Sequence, residues 1–434
     1  MDRACDDGRC TGEETEMSDR ADVLVIGGGV IGACVAAALA ERGAAVTLLE
    51  RQSEVCPSES AVYANCGLLV PSEVEPLAHP GALGQGLRWM LDGTSPFYVR
   101  PRASLALARW LWLFRGACAA EVARAHAPFL FELSKASAVL HDHLAADGGE
   151  TWHYRRNGWL SVYETAGGMD AATEEAAELR SLGVPSDILS ATDVRERVPQ
   201  VREGSVAGGV FTRDDGHMDP AAFTRETVAR AERAGATVVT GAEAYGFETG
   251  GGVRAVRTTR GVFAADQVVI AAGAWSPLLA RELGLRLPIE PAKGYSIDVT
   301  RPDGLPDLPL CVGEAHVVLT TLGDALRLGS TLELAGWDMR LRPKRLLHLR
   351  RAAERVLGVP DDGPVRRIWR GPRPLTPDGL PVIGRSPRHA NVVLATGHCM
   401  LGLSLGPVTG KLVAEIVAGE TPSLDLGPLR PDRF

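Results

Sequence analysis

The sequence predicts an α/β protein whose main sheet is assembled from pieces that lie far apart in the chain. An apolar strand, a glycine-rich turn and a helix begin near residue 21. A helix followed by a strand begins near residue 218, and a strand, a glycine turn and a helix close the chain. Such alternation is typical of parallel strand–helix–strand units. The segments between these units, roughly 75–200 and 288–362, differ in character and predict a second domain.

The first unit contains the pattern G-x-G-x-x-G at Gly27, Gly29 and Gly32, between the strands Val23 to Ile26 and Val46 to Leu49. Gly27 permits a tight turn, Gly29 lets the backbone approach a pyrophosphate, and Gly32 lets the helix pack closely on the strand. The pyrophosphate would lie at the positive end of that helix. The pattern in this context predicts a Rossmann-like dinucleotide site.

Glu50 closes the second strand at the spacing where an acid accepts hydrogen bonds from ribose hydroxyls. Val30, Ile31 and Arg51 adjoin these positions and belong to the same predicted cofactor site. The alternative is a glycine-rich turn in an α/β protein that binds no nucleotide. The motif alone does not say which dinucleotide is bound or which reaction follows.

Composition excludes several classes of protein. The 434 residues carry a net charge of −8, which argues against a nucleic-acid partner. No apolar run approaches the ~18 residues that a membrane span needs. Residues 1–20 are acidic and lack the apolar core of a signal peptide, so we expect a disordered tail and a cytoplasmic location. The eight cysteines show no C-x-x-C pair and no metal-ligand spacing, so no metal site is predicted.

Between the nucleotide-type units the pattern predicts helices over about 103–148, with a break at Pro128, and over 171–182, and a helix over 343–357. Trp110 to Phe114 form the densest aromatic cluster of the chain. Core packing is one interpretation of this cluster. A contact with a partner protein or with the inner face of a membrane is the other.

Several segments in order along residues 20–434 resemble the FAD-dependent D-amino-acid oxidase superfamily, and within it the branch that holds the small subunits of D-amino-acid dehydrogenase and of hydroxyproline dehydrogenase. They read G-G-G-V-I-G at the start, N-C-G at 65–67, K-G-Y-S at 293–296, G-P-R-P-L-T-P-D-G at 371–379 and A-T-G-H at 395–398. The resemblance implies a discontinuous Rossmann-like FAD-binding domain and a substrate domain with a mixed β-sheet, the glutathione-reductase-like arrangement of this superfamily. We expect the FAD-binding domain to comprise 21–74, 201–287 and 363–434, and the substrate domain 75–200 and 288–362.

The resemblance also implies a reaction. A C–N bond next to a carboxylate is oxidised by hydride transfer from the α-carbon to flavin N5, and the imine hydrolyses to a 2-oxo acid or persists if it is cyclic. The flavin supplies the difficult chemistry, and the protein orients the substrate. A D-amino acid or a cyclic imino acid is the expected substrate, and the electron acceptor stays open between oxygen, a quinone and a protein.

The same resemblance assigns roles to residues. Arg373 would pair with the substrate carboxylate through two parallel hydrogen bonds, and His398 and Tyr295 would lie near the reacting atoms. Lys293 could face the same site or be a strand-edge residue. The further cofactor-binding residues that the resemblance implies are Asn65, Gly67, Leu68, Val239, Gly273, Trp275, Gly397, Gly402 and Leu403.

Departures from the family pattern refine these expectations. Cys66 and Cys399 stand where the branch has alanine and glycine, so their thiols either contact the flavin or serve as small buried side chains. Gly371 matches the cysteine that holds flavin covalently in sarcosine-oxidase relatives, so we expect non-covalent FAD. Met400 matches a second carboxylate-binding arginine of glycine oxidases, which argues against glycine and suggests an apolar side-chain pocket.

Three other functions stay open at this point. One is a glycine- or sarcosine-type amine oxidase that uses oxygen. The second is an FAD monooxygenase that takes electrons from NAD(P)H, although the end of the chain reads A-T-G-H where those enzymes have G-D-A. The third is a non-catalytic flavoprotein subunit recruited through Trp110 to Phe114.

Overall fold

The structure is a computed structural model that describes residues 21–73, 77–82, 84, 86, 95 and 97–434. Its α-helices within those ranges are α1 Val30–Ala40, α2 Leu105–Ala117, α3 Ala120–Ala146, α4 Ala166–Ser181, α5 Ala191–Arg197, α6 Pro220–Arg233, α7 Ser276–Glu282, α8 Pro343–Leu357 and α9 Gly402–Ala418. The strands up to the middle of the chain are β1 Ala21–Ile26, β2 Val46–Leu49, β3 Leu68–Leu69, β4 Phe97–Val99, β5 Trp159–Tyr163, β6 Ser186–Ser190, β7 Gly208–Thr212, β8 Gly216–His217 and β9 Thr237–Val239. The later strands are β10 Ala244–Thr249, β11 Val253–Thr258, β12 Gly261–Ile270, β13 Glu290–Thr300, β14 Leu310–Val312, β15 Val317–Leu322, β16 Ala325–Leu334, β17 Val365–Leu375, β18 Val382–Arg385 and β19 Val392–Thr396.

The first sheet has a parallel centre in the order β9, β2, β1, β12 and β19. The antiparallel strand β18 extends it at one edge, and β10 and β11 form a hairpin on the start of β12. Apart from the exposed Asp22, the strands β1, β2 and β19 are buried along their whole length, because helices or loops cover both faces. The carboxyl ends of β1 and β2 therefore open toward one edge, where an α/β sheet binds its ligand.

The second sheet is mixed and has nine strands, in the order β17, β13, β16, β15, β14, β5, β7 and β6, with β4 added beside β16. Along β13, every second residue points to the same face. Tyr295 and its alternate neighbours pack into an apolar core with α8. Ser296 and its alternate neighbours lie on the opposite face, where the Ser296 hydroxyl donates to the carbonyl of Ala64 in the loop after β2 at 2.7 Å.

Helices α1 and α9 pack closely and bring the two ends of the chain together. A Cβ atom at Gly410 would lie 2.4 Å from the backbone oxygen of Cys34, and one at Gly406 would lie 3.0 Å from the Cys34 sulfur. Only glycine allows this approach. The N-termini of both helices consequently reach the same edge of the first sheet.

The elements follow the predicted pattern with local differences. The helix predicted through about 103–148 breaks at Cys118 rather than at Pro128, because α3 continues through Pro128 and packs its Leu130 and Leu133 into the core. Helix α1 ends at Ala40 with Glu41 as its C-cap, and Gly43 follows with a φ of 86°. The second sheet also includes β7 and β17, which lie inside the segments predicted for the FAD-binding domain, so the division into domains stays a prediction. Among the described residues, no helix combines the length and the apolar character needed to cross a bilayer.

Candidate active site

A cavity of about 1070 Å³ lies between the two sheets. Single small-molecule pockets measure about 300–1,000 Å³, so this space exceeds the usual range. Its wall includes the first glycine turn, the loop after β2, the turn after β12, strands β16 and β17, and the turn before α9. Sixteen residues of the predicted site line it, namely Gly27, Gly29, Val30, Ile31, Glu50, Arg51, Asn65, Gly67, Leu68, Gly273, Trp275, Arg373, Gly397, His398, Gly402 and Leu403.

The first glycine turn has the geometry that its motif predicts. Gly27 has a φ of 116°, and a Cβ atom there would lie 2.6 Å from the backbone oxygen of Ala271. A Cβ atom at Gly32 would lie 1.8 Å from the oxygen of Gly27, so Gly32 makes the helix–strand contact and does not line the cavity. A Cβ atom at Gly29 would have the Ser60 hydroxyl oxygen as its nearest neighbour, at 3.9 Å, so the space in front of this backbone is open. No side chain caps α1, so its first N–H groups are available to an anion.

Glu50 is fixed at the end of β2 by two backbone donors. One carboxylate oxygen accepts from the N–H of Gly28 at 2.8 Å, and the other accepts from the N–H of Gln52 at 2.9 Å. Burial raises the pKa of Glu50, and these hydrogen bonds oppose that rise. The acid can accept further hydrogen bonds from a diol, which is the role predicted for it.

Arg51 and Trp275 form a stacked pair at the same end of the cavity. The guanidinium carbon of Arg51 lies 4.0 Å from the centre of the Trp275 ring. Trp337, which the sequence did not single out, packs against Trp275 with 5.0 Å between ring centres and the two rings tilted by 34°. Val239 is not in the cavity wall, and its carbonyl accepts from the N–H of Glu50 at 2.9 Å.

The second loop, residues 64–68, is held by the sheet behind it. The Thr320 hydroxyl donates to the carbonyl of Cys66 at 2.7 Å, and the Arg327 guanidinium donates to the carbonyl of Asn65 at 3.0 Å. Arg327 is itself paired with the buried Asp298 at 2.8 Å. At Gly67 the φ is 69°, and a Cβ atom would lie 2.2 Å from the oxygen of Met218. The loop is therefore rigidly set against the cavity.

The turn before α9 brings His398 and Cys399 to the cavity. Thr409 donates its hydroxyl hydrogen to the carbonyl of Leu405 at 2.7 Å, so its oxygen accepts from Nε2 of His398 at 2.9 Å. Burial lowers the pKa of His398 to about 3, and the ring is neutral at neutral pH. Cys399 has a φ of 51°, a strained value for a residue with a side chain. Burial raises the pKa of its thiol to about 11.

Arg373 is a half-buried cation in the cavity wall, and within the described part of the chain no carboxylate lies within ion-pair distance of it. One guanidinium nitrogen donates to the carbonyl of Thr331 at 2.7 Å. Burial lowers the pKa of Arg373. A Cβ atom at Gly294 would lie 1.8 Å from the same nitrogen, so the guanidinium occupies the space that a side chain on the neighbouring strand would fill.

A bulge in β16 directs the Thr331 carbonyl toward Arg373. Lys293 pairs with Glu333 and Tyr295 pairs with Ser330, so β16 contains one residue more than β13 between these pairs. Thr331 has a φ of 80° at this point. Bulges re-aim groups next to active sites, and backbone strain concentrates there.

Tyr295 and Lys293 lie on the other face of the second sheet, away from the cavity. The Tyr295 hydroxyl donates to the buried Glu333 carboxylate at 2.7 Å. The Lys293 ammonium donates to the carbonyls of Asp338 and Arg340 at 2.7 and 2.8 Å. The predicted catalytic position of Tyr295 is therefore corrected. Residues alternate along a strand, and Gly294 takes the cavity face.

The remaining walls of the cavity differ in polarity. One wall is apolar and consists of Leu77, Phe97, Val99, Trp110, Leu111, Phe114, Leu332 and Met400. Another part of the lining is polar and includes Glu73, Ser161, Tyr163, Glu175, Cys311 and His316. The predicted aromatic cluster divides accordingly. Trp110 and Phe114 stack at 5.1 Å inside the protein, whereas Trp112 is 71% exposed.

Sequence reasoning missed Gly294 and Thr331 as parts of the site. The segment from Ala292 to Asp298 contains a usable signal, because small or polar residues at every second position indicate a strand face that meets other polar groups. The sequence contains no signal for the role of the Thr331 carbonyl, because every residue has a carbonyl and the bulge depends on the pairing of two strands.

Comparison with known proteins gives results of three kinds. A family model described as FAD dependent oxidoreductase matches residues 22–416. A D-amino acid dehydrogenase of Granulibacter bethesdensis is 33% identical over 417 residues, which cover 95% of this chain and 99% of the relative. Among solved structures, a glycine oxidase from Geobacillus kaustophilus has a TM-score of 0.78 at 24% identity and covers 96% of this chain and 100% of its own. An L-proline dehydrogenase from P. horikoshii has a TM-score of 0.75 at 21% identity, with 96% and 98% covered. These two structures share the fold.

Proposed function

Since the chain belongs to the family of FAD-dependent oxidoreductases, we propose that it oxidises the C–N bond of an amino acid to an imine. A D-amino acid or a cyclic imino acid is the proposed substrate, in line with the name of its relative of 33% identity. The imine then hydrolyses to a 2-oxo acid and ammonia, or persists if it is cyclic. Bound FAD supplies the hydride acceptor for this oxidation.

The residues of the cavity fit FAD. The open backbone at Gly29 and the uncapped start of α1 suit the pyrophosphate, and Glu50 suits the ribose diol. The uncapped start of α9 offers a second set of N–H groups for the flavin ring. A Cβ atom at Gly371 would lie 2.2 Å from the Trp369 ring, which leaves no room for a cysteine and supports non-covalent FAD.

Arg373 is the single observation that carries the proposal. A guanidinium that has no counter-ion among the described residues of a cavity wall is poised to bind an anion, and its two parallel donors match a carboxylate. Binding the carboxylate fixes the position of the α-carbon, which must face the hydride acceptor. The substrate amine reacts in its unprotonated form, after its ammonium has released a proton to water, and the neutral His398 ring adds no positive charge to the cavity.

The apolar wall supports a substrate with an apolar side chain. Leu332 follows the Thr331 bulge that holds Arg373, and Trp110 and Phe114 lie in the same apolar cluster as Leu332. An apolar side chain gains about 25 cal/mol for each Å² buried against such a wall. Met400, half-exposed in the cavity lining, cannot donate a second pair of hydrogen bonds to the substrate carboxylate as an arginine would. We therefore propose alanine, leucine or phenylalanine of D configuration ahead of glycine.

The experiment is anaerobic mixing of the purified yellow protein with D-, L- and N-alkyl amino acids while flavin absorbance is followed. The proposal expects bleaching by D-amino acids with apolar side chains and no bleaching by NADPH. Reoxidation with oxygen or with a quinone then identifies the class of acceptor. If no amino acid in the panel reduces the flavin, the substrate proposal is wrong.

The outer face of α2 supports a further, peripheral contact. Leu105 is 91% exposed and Trp112 is 71% exposed, on a helix that also presents Arg109 and Arg115 to solvent. Apolar side chains with basic neighbours are typical of helices that lie on an anionic membrane surface. Co-sedimentation with vesicles of anionic lipid, lost on Trp112→Ser, is the expected result. Equal sedimentation of both proteins would argue against this contact.

A further inference from the structure

Helix α9 contains Pro407 in its second turn. In an α-helix the N–H of each residue donates to the carbonyl four residues earlier, and proline has no N–H. Pro407 therefore leaves the carbonyl of Leu403 without its helical donor. Leu403 is buried and belongs to the turn that lines the cavity. A buried carbonyl without a donor is costly, so a replacement from another element is expected.

His141 on helix α3 is that replacement. Its Nε2 atom lies 3.1 Å from the carbonyl oxygen of Leu403. Because a carbonyl only accepts, Nε2 carries the hydrogen and Nδ1 is bare. The ring is 1% exposed, and burial lowers the pKa of His141 to about 4, so it is neutral at neutral pH. Its single N–H is committed to the gap that Pro407 creates.

The same face of α3 makes a second contact beside Pro407. Ser137 lies one helical turn before His141, and its hydroxyl oxygen accepts from the N–H of Val408 at 3.3 Å. On the other side, the Ser404 hydroxyl donates to the carbonyl of Leu68 in the second loop at 3.2 Å. The start of α9 is thus held by hydrogen bonds both to α3 and to the second loop.

We propose that His141 is a positioning residue, which takes over the hydrogen bond lost at Pro407 and so fixes the first turn of α9 against the cofactor. The free N–H groups of that turn keep their direction only if the Leu403 peptide is held. This inference rests on the cofactor site of the proposed function. It does not depend on which amino acid is oxidised.

The test is a cycle of four full-length proteins, namely wild type, His141→Leu, Pro407→Ala and the double variant. Pro407→Ala restores the helical N–H that Leu403 lacks, so His141 is no longer needed for this bond. FAD dissociation constants and the visible flavin spectrum are measured for each, together with circular dichroism to verify folding. These readouts do not require turnover, so failure of the substrate proposal would leave them unchanged.

His141→Leu should raise the Kd for FAD by about tenfold and shift the flavin bands, because a buried carbonyl loses its donor. In the Pro407→Ala background the same substitution should change the Kd by less than about twofold. An equal increase in both backgrounds, or no increase in either, would contradict the proposal. If His141→Leu does not fold, recovery of folded, FAD-binding protein on adding Pro407→Ala supports it, and failure to recover contradicts it.

Two further variants separate the hydrogen bond from packing. Phe223 packs against His141 at 5.1 Å between ring centres, and Phe223→Leu removes aromatic packing while it keeps the donor. Phe223→Leu should change the Kd for FAD by the same factor in the wild-type background and in the Pro407→Ala background. His141→Gln keeps an N–H at the end of the side chain and should retain FAD within about threefold of wild type. If His141→Gln loses as much FAD affinity as His141→Leu does, the result contradicts the proposal.

Discussion

At the residue scale, the candidate site depends on the space around one cation. The Arg373 guanidinium lies where a side chain at Gly294 would be, and it is held there by the Thr331 carbonyl. A charge removed from water without a partner is costly, so the arrangement is favourable once an anion binds. The resemblance predicted Arg373, but not Gly294, which lies diagonal to it on the neighbouring strand. That contact depends on the pairing of β13 with β17, which a local motif does not reveal.

Gly294→Ala should displace the Arg373 guanidinium, because its nitrogen and the new methyl group cannot both occupy the space. We expect KM for the amino acid to rise by roughly tenfold or more, the size of a weakened charge-assisted hydrogen bond. FAD affinity should not change. Gly167→Ala is a matched control, since no atom lies within 4 Å of a Cβ atom at that position. Steady-state kinetics and FAD titration check this, and an unchanged KM would refute the assigned contact.

His398 should make the stability of the protein depend on pH. Its folded pKa of about 3 lies below the ordinary value of 6.5, so the unfolded chain binds a proton first as the pH falls. The stability that comes from keeping His398 neutral in the folded protein is fully present above pH 6.5 and is lost progressively between pH 6.5 and 3. Near pH 4.5 the loss should reach about 2–3 kcal/mol of unfolding free energy. Urea unfolding of wild type and His398→Gln at pH 7 and 4.5 checks this, and equal losses in both would contradict it.

At the element scale, the close packing of α1 on α9 places two helix N-termini at one cavity. The sequence predicted both helices from their strand and glycine turns, and α8 was predicted with the bounds that it has. The sequence did not predict that α1 and α9 pack on each other. Gly406 and Gly410 look like ordinary helix glycines until the fold places Cys34 against them. The predicted break at Pro128 was wrong for a related reason, since tertiary packing holds α3 together.

Gly410→Ala should separate α1 from α9. Its new methyl group would lie 2.4 Å from a backbone oxygen, which cannot move as a side chain can. We expect a loss of about 3 kcal/mol in the free energy of unfolding and weaker FAD binding. Gly116→Ala in α2 meets no atom within 4 Å and should be neutral or slightly stabilising. Denaturant unfolding with FAD present checks the pair, and equal stability of the two variants would contradict the packing argument.

At the scale of the whole molecule, we propose that one sheet binds the adenosine half of the cofactor and that the other provides the substrate wall. The local motifs predicted the first function, because glycine turns and a strand-end acid follow one another in sequence. The substrate wall is built from strands that are distant in the chain, and only the resemblance indicated it. Tyr295 shows the limit of assigning roles by resemblance, since a shift of one residue along a strand moves a side chain to the other face.

We propose that amino acids are oxidised in this cavity while Arg373 holds their carboxylate. The most direct test compares anaerobic flavin reduction by D-leucine with reduction by isopentylamine, which lacks only the carboxylate, in wild type, Arg373→Ala and Arg370→Ala. Arg370 is the control, because it lies on the same strand, is exposed and donates to the carbonyl of Met339. Wild type and Arg370→Ala should prefer D-leucine by about 100-fold or more, and Arg373→Ala should lose most of that preference while FAD stays bound. An undiminished preference in Arg373→Ala would contradict the account.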